Sequence, residues 1–160
     1  MKIRLASVAD LPTLLEIYET ARRFMVESGN PTQWPKGYIH QEMLETDIAR
    51  HVLYVCEDEA GLEGAFLFDA GPDPTYAVIQ DGQWPSNAPY FVIHRVASAG
   101  RVKGILGQIL AWAAQQAPVL RMDTHADNLP MQHLLEKHCF VRCGIITVED
   151  GTPRIAYQKG

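Results

Sequence analysis

Val96-Ala97-Ser98-Ala99-Gly100-Arg101-Val102-Lys103-Gly104-Ile105-Leu106 joins two unlike stretches of the chain. Upstream, Tyr90 to Val96 (YFVIHRV) is aromatic and β-branched and has the length of a central strand buried on both faces. Downstream, Val102, Ile105, Leu106, Ile109, Leu110 and Ala113 recur at helical spacing until Pro118 ends the run. A strand that turns tightly into a helix leaves the first helical N–H groups unpaired at the positive end of the dipole. Such a terminus attracts phosphate. Gly104, expected in the first turn, lets an anion reach the backbone, and Arg101 and Lys103 add positive charge. A helix start with two solvated basic residues and a packing glycine accounts for the same letters.

Outward from this junction, Val119 to Thr124 reads as a further strand. Asn128 is an N-cap with Pro130 behind it, residues 129–137 form a short helix, and strands near 141–148 and 154–158 are joined through Asp150-Gly151. Toward the N-terminus, Ile3 and Leu5 mark a strand and Asp10 an N-cap before Pro12. Leu11, Leu14, Leu15, Tyr18, Ala21 and Met25 form the apolar face of a helix that stops at Ser28-Gly29. After a proline- and glycine-rich loop around Trp34 comes a shorter helix with Met43, Leu44 and Ile48 inward. Strands 52–56 and 64–68 make a hairpin about a turn at Glu57 to Gly61, and Tyr76 to Ile79 adds a third strand. The predicted order is β-α-α-β-β-β-β-α-β-α-β-β. That is an α/β (α+β) fold, one domain over 1–160, with a mixed, mostly antiparallel central sheet flanked by helices.

Composition narrows the classes of function. At 160 residues with 47% hydrophobic and 21% charged residues, the chain can build a core without a disulfide or metal staple. Its net charge of −5 provides no positive field for nucleic acid. No run approaches the roughly 20 apolar residues of a membrane span, and the first residues lack a signal-peptide pattern. Cys56, Cys139 and Cys143 form no C-x-x-C pair, and His138-Cys139-x3-Cys143 lacks a zinc knuckle. These features predict a cytoplasmic protein with reduced thiols, no metal, and neither a nucleic acid nor a membrane as partner. A G-x-G-x-x-G run and a P-loop are both missing.

The junction resembles the acyl-CoA signature of the GNAT superfamily of N-acetyltransferases, V-x-P-x-x-[RQ]-x-x-G-x-[GA], with Val96, Arg101 and Gly104 in register. Downstream, Leu120-Arg121-Met122-Asp123 followed by Asn128, Met131, Leu134, Lys137 and Phe140 is similar to the superfamily's second motif: a strand, an asparagine, then a helix ending in K-x-G-F. The element order matches as well. Departures are Ser98 for proline, Val102 for a frequent glycine, Leu106 for a small residue and Cys139 for glycine. Leu135 stands where the family often has a tyrosine that protonates the leaving thiolate.

The resemblance implies acetyl-CoA as co-substrate, held by Val96, Ala97, Ser98, Arg101, Val102, Lys103, Gly104, Ile105 and Leu106, with Asn128 on the pantetheine arm or capping its helix. It also implies a small-molecule or protein amine as acceptor, with Gln33 and Trp34 on the acceptor side, and direct transfer in a ternary complex. Acetyl transfer to an amine needs a base, and His94, Asp123 and His125 are the polar groups expected where the two central strands part. A hydrogen-bonded structural His94 and turn chemistry at 123–125 account for these residues equally well. Glu27, Glu42 and Asp73 read as solvated surface. A CoA-binding sensor on the same fold and a homodimer remain open.

Overall fold

A computed structural model describes residues 1–160. The strands are β1 (Lys2–Leu5), β2 (Leu53–Asp58), β3 (Gly61–Ala70), β4 (Phe91–Ser98), β5 (Leu120–Thr124), β6 (Val141–Thr147) and β7 (Pro153–Lys159). The helices are α1 (Leu11–Glu27), α2 (Gln41–Ala49), α3 (Ile105–Gln116) and α4 (Leu129–Lys137). All seven strands share one sheet in the order β1-β2-β3-β4-β5-β7-β6, and β4–β5 is its one parallel pair. A parallel pair needs a crossover, and α3 supplies it. No helix is long and apolar enough to cross a membrane.

Helices cover both faces because the strands carry apolar residues on both. Leu11, Leu14, Ile17 and Tyr18 of α1 pack with Trp34 and Leu44 over Val55, Ala65 and Ala97. On the opposite face Ile105, Ile109, Leu110 and Ala113 of α3 meet Phe66, Phe68, Ile93 and Leu120. Burying each such Leu, Ile or Phe contributes roughly 1.5–3 kcal/mol. The segment 71–90 lies on the same face as α1 and completes it lower down, where Tyr76 packs with Leu67, Val92, Ile146 and Ala156.

Several sequence expectations need correction. Tyr76 to Ile79 is not a strand: Pro74–Tyr76 is a 3₁₀ turn, capped by Asp73 accepting from the Thr75 N–H, and a lone bridge from Gln80 to Ile145 follows. Pro74 at the first position of that turn and the Asp73 cap draw Tyr76 into the turn and away from a ladder. The sheet therefore has one strand fewer than predicted. Helix α3 begins at Ile105 rather than near Val102, because Gly104 is its N-cap in left-handed backbone, φ +81°. Asp10 stands at the N-cap position of α1 as predicted, but its carboxylate makes no cap bond there; it accepts from the Ser7 N–H at 2.8 Å and pairs with Arg4. The hairpin turn is shorter than predicted, and β3 starts at Gly61. A bulge at Glu63 offsets the register between Cys56–Gly64 and Glu57–Leu62. Cys56 and Cys143 are buried, and Cys139 is exposed.

Candidate active site

Strands β4 and β5 pair only at Phe91–Leu120 and Val92–Arg121 and then separate. The divergence begins where β4 is bulged. Its register against β3 slips between Leu67–His94 and Ala65–Ala97, and Arg95 takes a left-handed φ of +49°. Such a conformation costs an L-residue about 1–2 kcal/mol and persists when its surroundings hold it. Two helices do so. The Tyr18 hydroxyl of α1 donates to the Arg95 carbonyl at 2.8 Å, and the Arg95 guanidinium is ion-paired with the buried carboxylate of Asp47 on α2.

The wedge opens into a cavity of about 570 Å³. Ile93, His94, Arg95 and Val96 line it from β4, and Met122 and Asp123 from β5. Gln33, Trp34 and Met43 form the helical side, and Glu149 and Asp150 stand at the β6–β7 turn. Within it, His94 Nε2 lies 2.8 Å from the Asp73 carboxylate, and Nδ1 lies 3.7 Å from Asp123. Asp123 in turn accepts from the Tyr76 hydroxyl at 2.7 Å. Burial opposes a charge on His94, but the hydrogen bond to Asp73 and the charges of Asp123 and Asp73 outweigh it, so the imidazole pKa is raised. Burial likewise opposes the charge of Asp73, yet hydrogen bonds from His94 and from the Thr75 side chain and N–H bring its pKa down to about 2. Burial first, and the Asp123 charge second, push the Tyr76 phenol well up. With Asp73 accepting from Nε2–H, Nδ1 is the basic nitrogen of neutral His94.

At the start of α3 the first intrahelical bond runs from Gln108 N–H to the Gly104 carbonyl, so the N–H groups of Ile105, Leu106 and Gly107 precede the helical ladder. Gly100 and Gly104 both have φ near +82°, and a Cβ on either would point into open space. Lys103 and Val102 are exposed here. Arg101 is not a free cation: its guanidinium holds both carboxylate oxygens of Glu63, 2.8 and 3.3 Å away, and donates to the Leu62 carbonyl. Glu63 is 1% exposed, so the bulge in β3 anchors the turn that leads into α3.

The remaining expected residues divide. His94 and Asp123 are brought together. His125 is apart from them, with Nε2 3.2 Å from the Thr32 hydroxyl and Nδ1 accepting from the Asp127 N–H, so an Asp123–His125 couple is not formed. Asn128 caps α4 by accepting from the Met131 N–H and donates to Gln33 Oε1, which leaves its amide engaged with protein on both atoms. Gln33 also receives the Asn30 amide, so it ties the loop after α1 to α4 while lining the cavity. Trp34 lines the cavity with one edge and is otherwise core, 6% exposed against Tyr18. Leu135 is fully buried among the α3-side core residues.

Asp73, Tyr76, Asp47 and Glu63 belong to the site or its supports, and sequence reading missed them. Asp73 is not solvated surface: the Asp-Pro-Thr order marks a side-chain-capped turn, and His94 completes its hydrogen bonding.

No protein-family model matches the chain, and no curated protein sequence matches it. Solved structures do. An acetyltransferase of the GNAT family from Streptococcus agalactiae 2603 is 29% identical, with 99% of this chain and 94% of that one covered and a TM-score of 0.86. A protein of Staphylococcus aureus Mu50 assigned as an acetyltransferase is 30% identical over 100% of this chain and 99% of its own, with a TM-score of 0.69. A ribosomal-protein-alanine N-acetyltransferase from Brucella melitensis is 22% identical over 99% of both chains, with a TM-score of 0.64, and shares the fold.

Proposed function

Because this chain belongs to the GNAT superfamily and is an acetyltransferase of that type, we propose that it moves the acetyl group of acetyl-CoA directly to a primary amine, with His94 as the base. The observation that carries the reading is the basic nitrogen of His94 standing in the wedge where β4 leaves β5.

The co-substrate fits the residues present. Gly100 and Gly104 leave open space before α3, and three helical N–H groups meet it, which suits a diphosphate. The unpaired edge of β4 beyond Val92 suits an extended pantetheine arm. Acetyl-CoA supplies the activated acyl group. Asp73, Asp123, Glu149 and Asp150 outnumber Arg95 and Arg154 on the cavity wall, and Asp47 already neutralises Arg95, so the cavity favours a cationic acceptor. An alkyl ammonium releases its proton near pH 10, and a positioned base contributes roughly 10²- to 10⁴-fold. His94 Nδ1 accepts that proton, and Asp73 and Asp123 stabilise the imidazolium. With Leu135 in the core, the thiolate, of pKa ~8.5, leaves without a tyrosine acid.

Direct transfer is favoured over an acetyl-cysteine route. Burial pushes the Cys56 thiol up to about 12 and the Cys143 thiol up as well, and no cysteine lines the cavity. A panel of amines scored for CoA release, with intact mass after acetyl-CoA alone, tests the proposal. It expects amine-dependent release and no 42 Da adduct, the mass of about one acetyl group. CoA release that ignores every amine, or a stable adduct, overturns it.

A further inference from the structure

Arg121 is 5% exposed on β5, and no carboxylate pairs with it. Its guanidinium lies between two aromatic faces, 3.9 Å from the Trp84 ring centre and 4.0 Å from that of Tyr90. Nε donates to the Gln158 side chain and Nη2 to the Ser86 carbonyl, both neutral acceptors, and Nη1 has no protein partner. Burial lowers the arginine's pKa, as expected for a cation out of water with no counter-charge.

A cavity of about 440 Å³ opens over this group, walled by Pro74, Ala77, Ala88, Trp84 and Tyr90. Asp73 also borders it, but both oxygens of that carboxylate are committed to Thr75 and His94. The unfilled donors are at the fork end of the guanidinium, and planar bidentate pairing with a carboxylate is what that end does best. Two aromatic faces hold the fork's plane fixed before any ligand arrives.

We propose that the Arg121 cavity is a carboxylate-binding site, taking a small ligand whose apolar body lies against the proline and alanine walls. It adjoins the wedge. Arg121 and Asp123 project from the same side of β5, about 7 Å apart along the strand, and Asp73 stands in the walls of both cavities. The carboxylate therefore comes either from the acceptor itself or from a separate ligand.

Titration of the protein with benzoate against chloride at equal ionic strength, followed by the Trp84 indole N–H resonance, tests the site without acetyl-CoA and so stands apart from the acetyl-transfer reading. Benzoate should give a saturable shift that chloride does not. Arg121→Lys keeps the charge and loses the fork, and should weaken binding at least about tenfold. Ala88→Glu, at an exposed wall position, supplies a carboxylate from the protein, and should abolish the response while keeping the unfolding midpoint. Paired acceptors that differ only by a carboxylate then identify the source. If the acceptor supplies it, the acid form has the higher kcat/KM in wild type and loses that advantage in Ala88→Glu. If a separate ligand supplies it, benzoate binds without changing either KM. Equal responses to benzoate and chloride, or an Ala88→Glu protein that binds benzoate like wild type, overturn the proposal.

Discussion

The Tyr18 hydroxyl of α1 donates to the carbonyl of Arg95, 77 residues away and the one left-handed residue of β4. Removing that oxygen leaves a part-buried carbonyl short of a partner and loosens the bulge that opens the wedge. Tyr18→Phe should destabilise the protein by about 1 kcal/mol, read as a lower denaturant midpoint at unchanged m-value. It should lower kcat more than it raises KM, since the bulge places His94 rather than the acceptor's remote parts.

His94 loses its basic form as pH falls through its raised pKa. The acid limb of kcat/KM should therefore have its midpoint above about 6.5, the ordinary histidine value. Asp73→Asn removes the hydrogen-bonding carboxylate and should move that midpoint down. His94→Gln should depress kcat/KM at neutral pH and recover in part at high pH, where free amine accumulates.

Stability should follow opposite signs for the same pair. The raised pKa of His94 contributes stability that is fully present below the unfolded-state value and disappears as pH rises through the folded value. Asp73, at about 2 against an ordinary 3.8, contributes about 2 kcal/mol above pH ~4, lost as pH falls toward 2. In Asp73→Asn both contributions should shrink, flattening thermal stability between pH 2 and 4 relative to wild type.

Glu63 is the sole carboxylate partner of Arg101, and the pair pins the turn that precedes α3. Glu63→Gln should leave the fold intact and weaken acetyl-CoA about three- to tenfold by calorimetry, the consequence of ordering one long side chain and its loop on binding. Gly104→Val acts at the same junction by another route. A β-branched residue at φ +81° is strained, and its Cβ enters the open space before the helix, so affinity should fall at least about tenfold.

Cys139 closes α4 in a left-handed conformation, φ +67°. Its N–H bonds the Glu136 carbonyl, and the Phe140 N–H bonds that of Leu135, a turn that favours glycine. Cys139→Gly should stabilise the protein by up to about 1 kcal/mol, offset in part by the entropy of glycine in the unfolded chain. A rise in denaturant midpoint without loss of CoA release is the expected result.

Local periodicity was enough to determine the helices, the β-α-β crossover and the glycine turn before α3, because each depends on residues a few positions apart. The residues 96–106 and 120–140 carried the family likeness for the same reason. What tertiary structure alone decided are pairings between distant segments. Asp73 meets His94 only because the 71–90 segment folds back over β4, and its Asp73-Pro74-Thr75 run makes a capped turn that takes in Tyr76, where a strand is predicted to begin. Arg95 can hold a strained φ because Tyr18 and Asp47 reach it from two different helices. Arg101 reads as a phosphate ligand until the bulge in β3 turns Glu63 toward it, and Asn128 reads as a helix cap whose amide N–H is free for a ligand until Gln33 arrives from the loop after α1. In each case a buried polar group must be satisfied by whatever the fold brings within about 3 Å, and sequence spacing carries no information about which group that is.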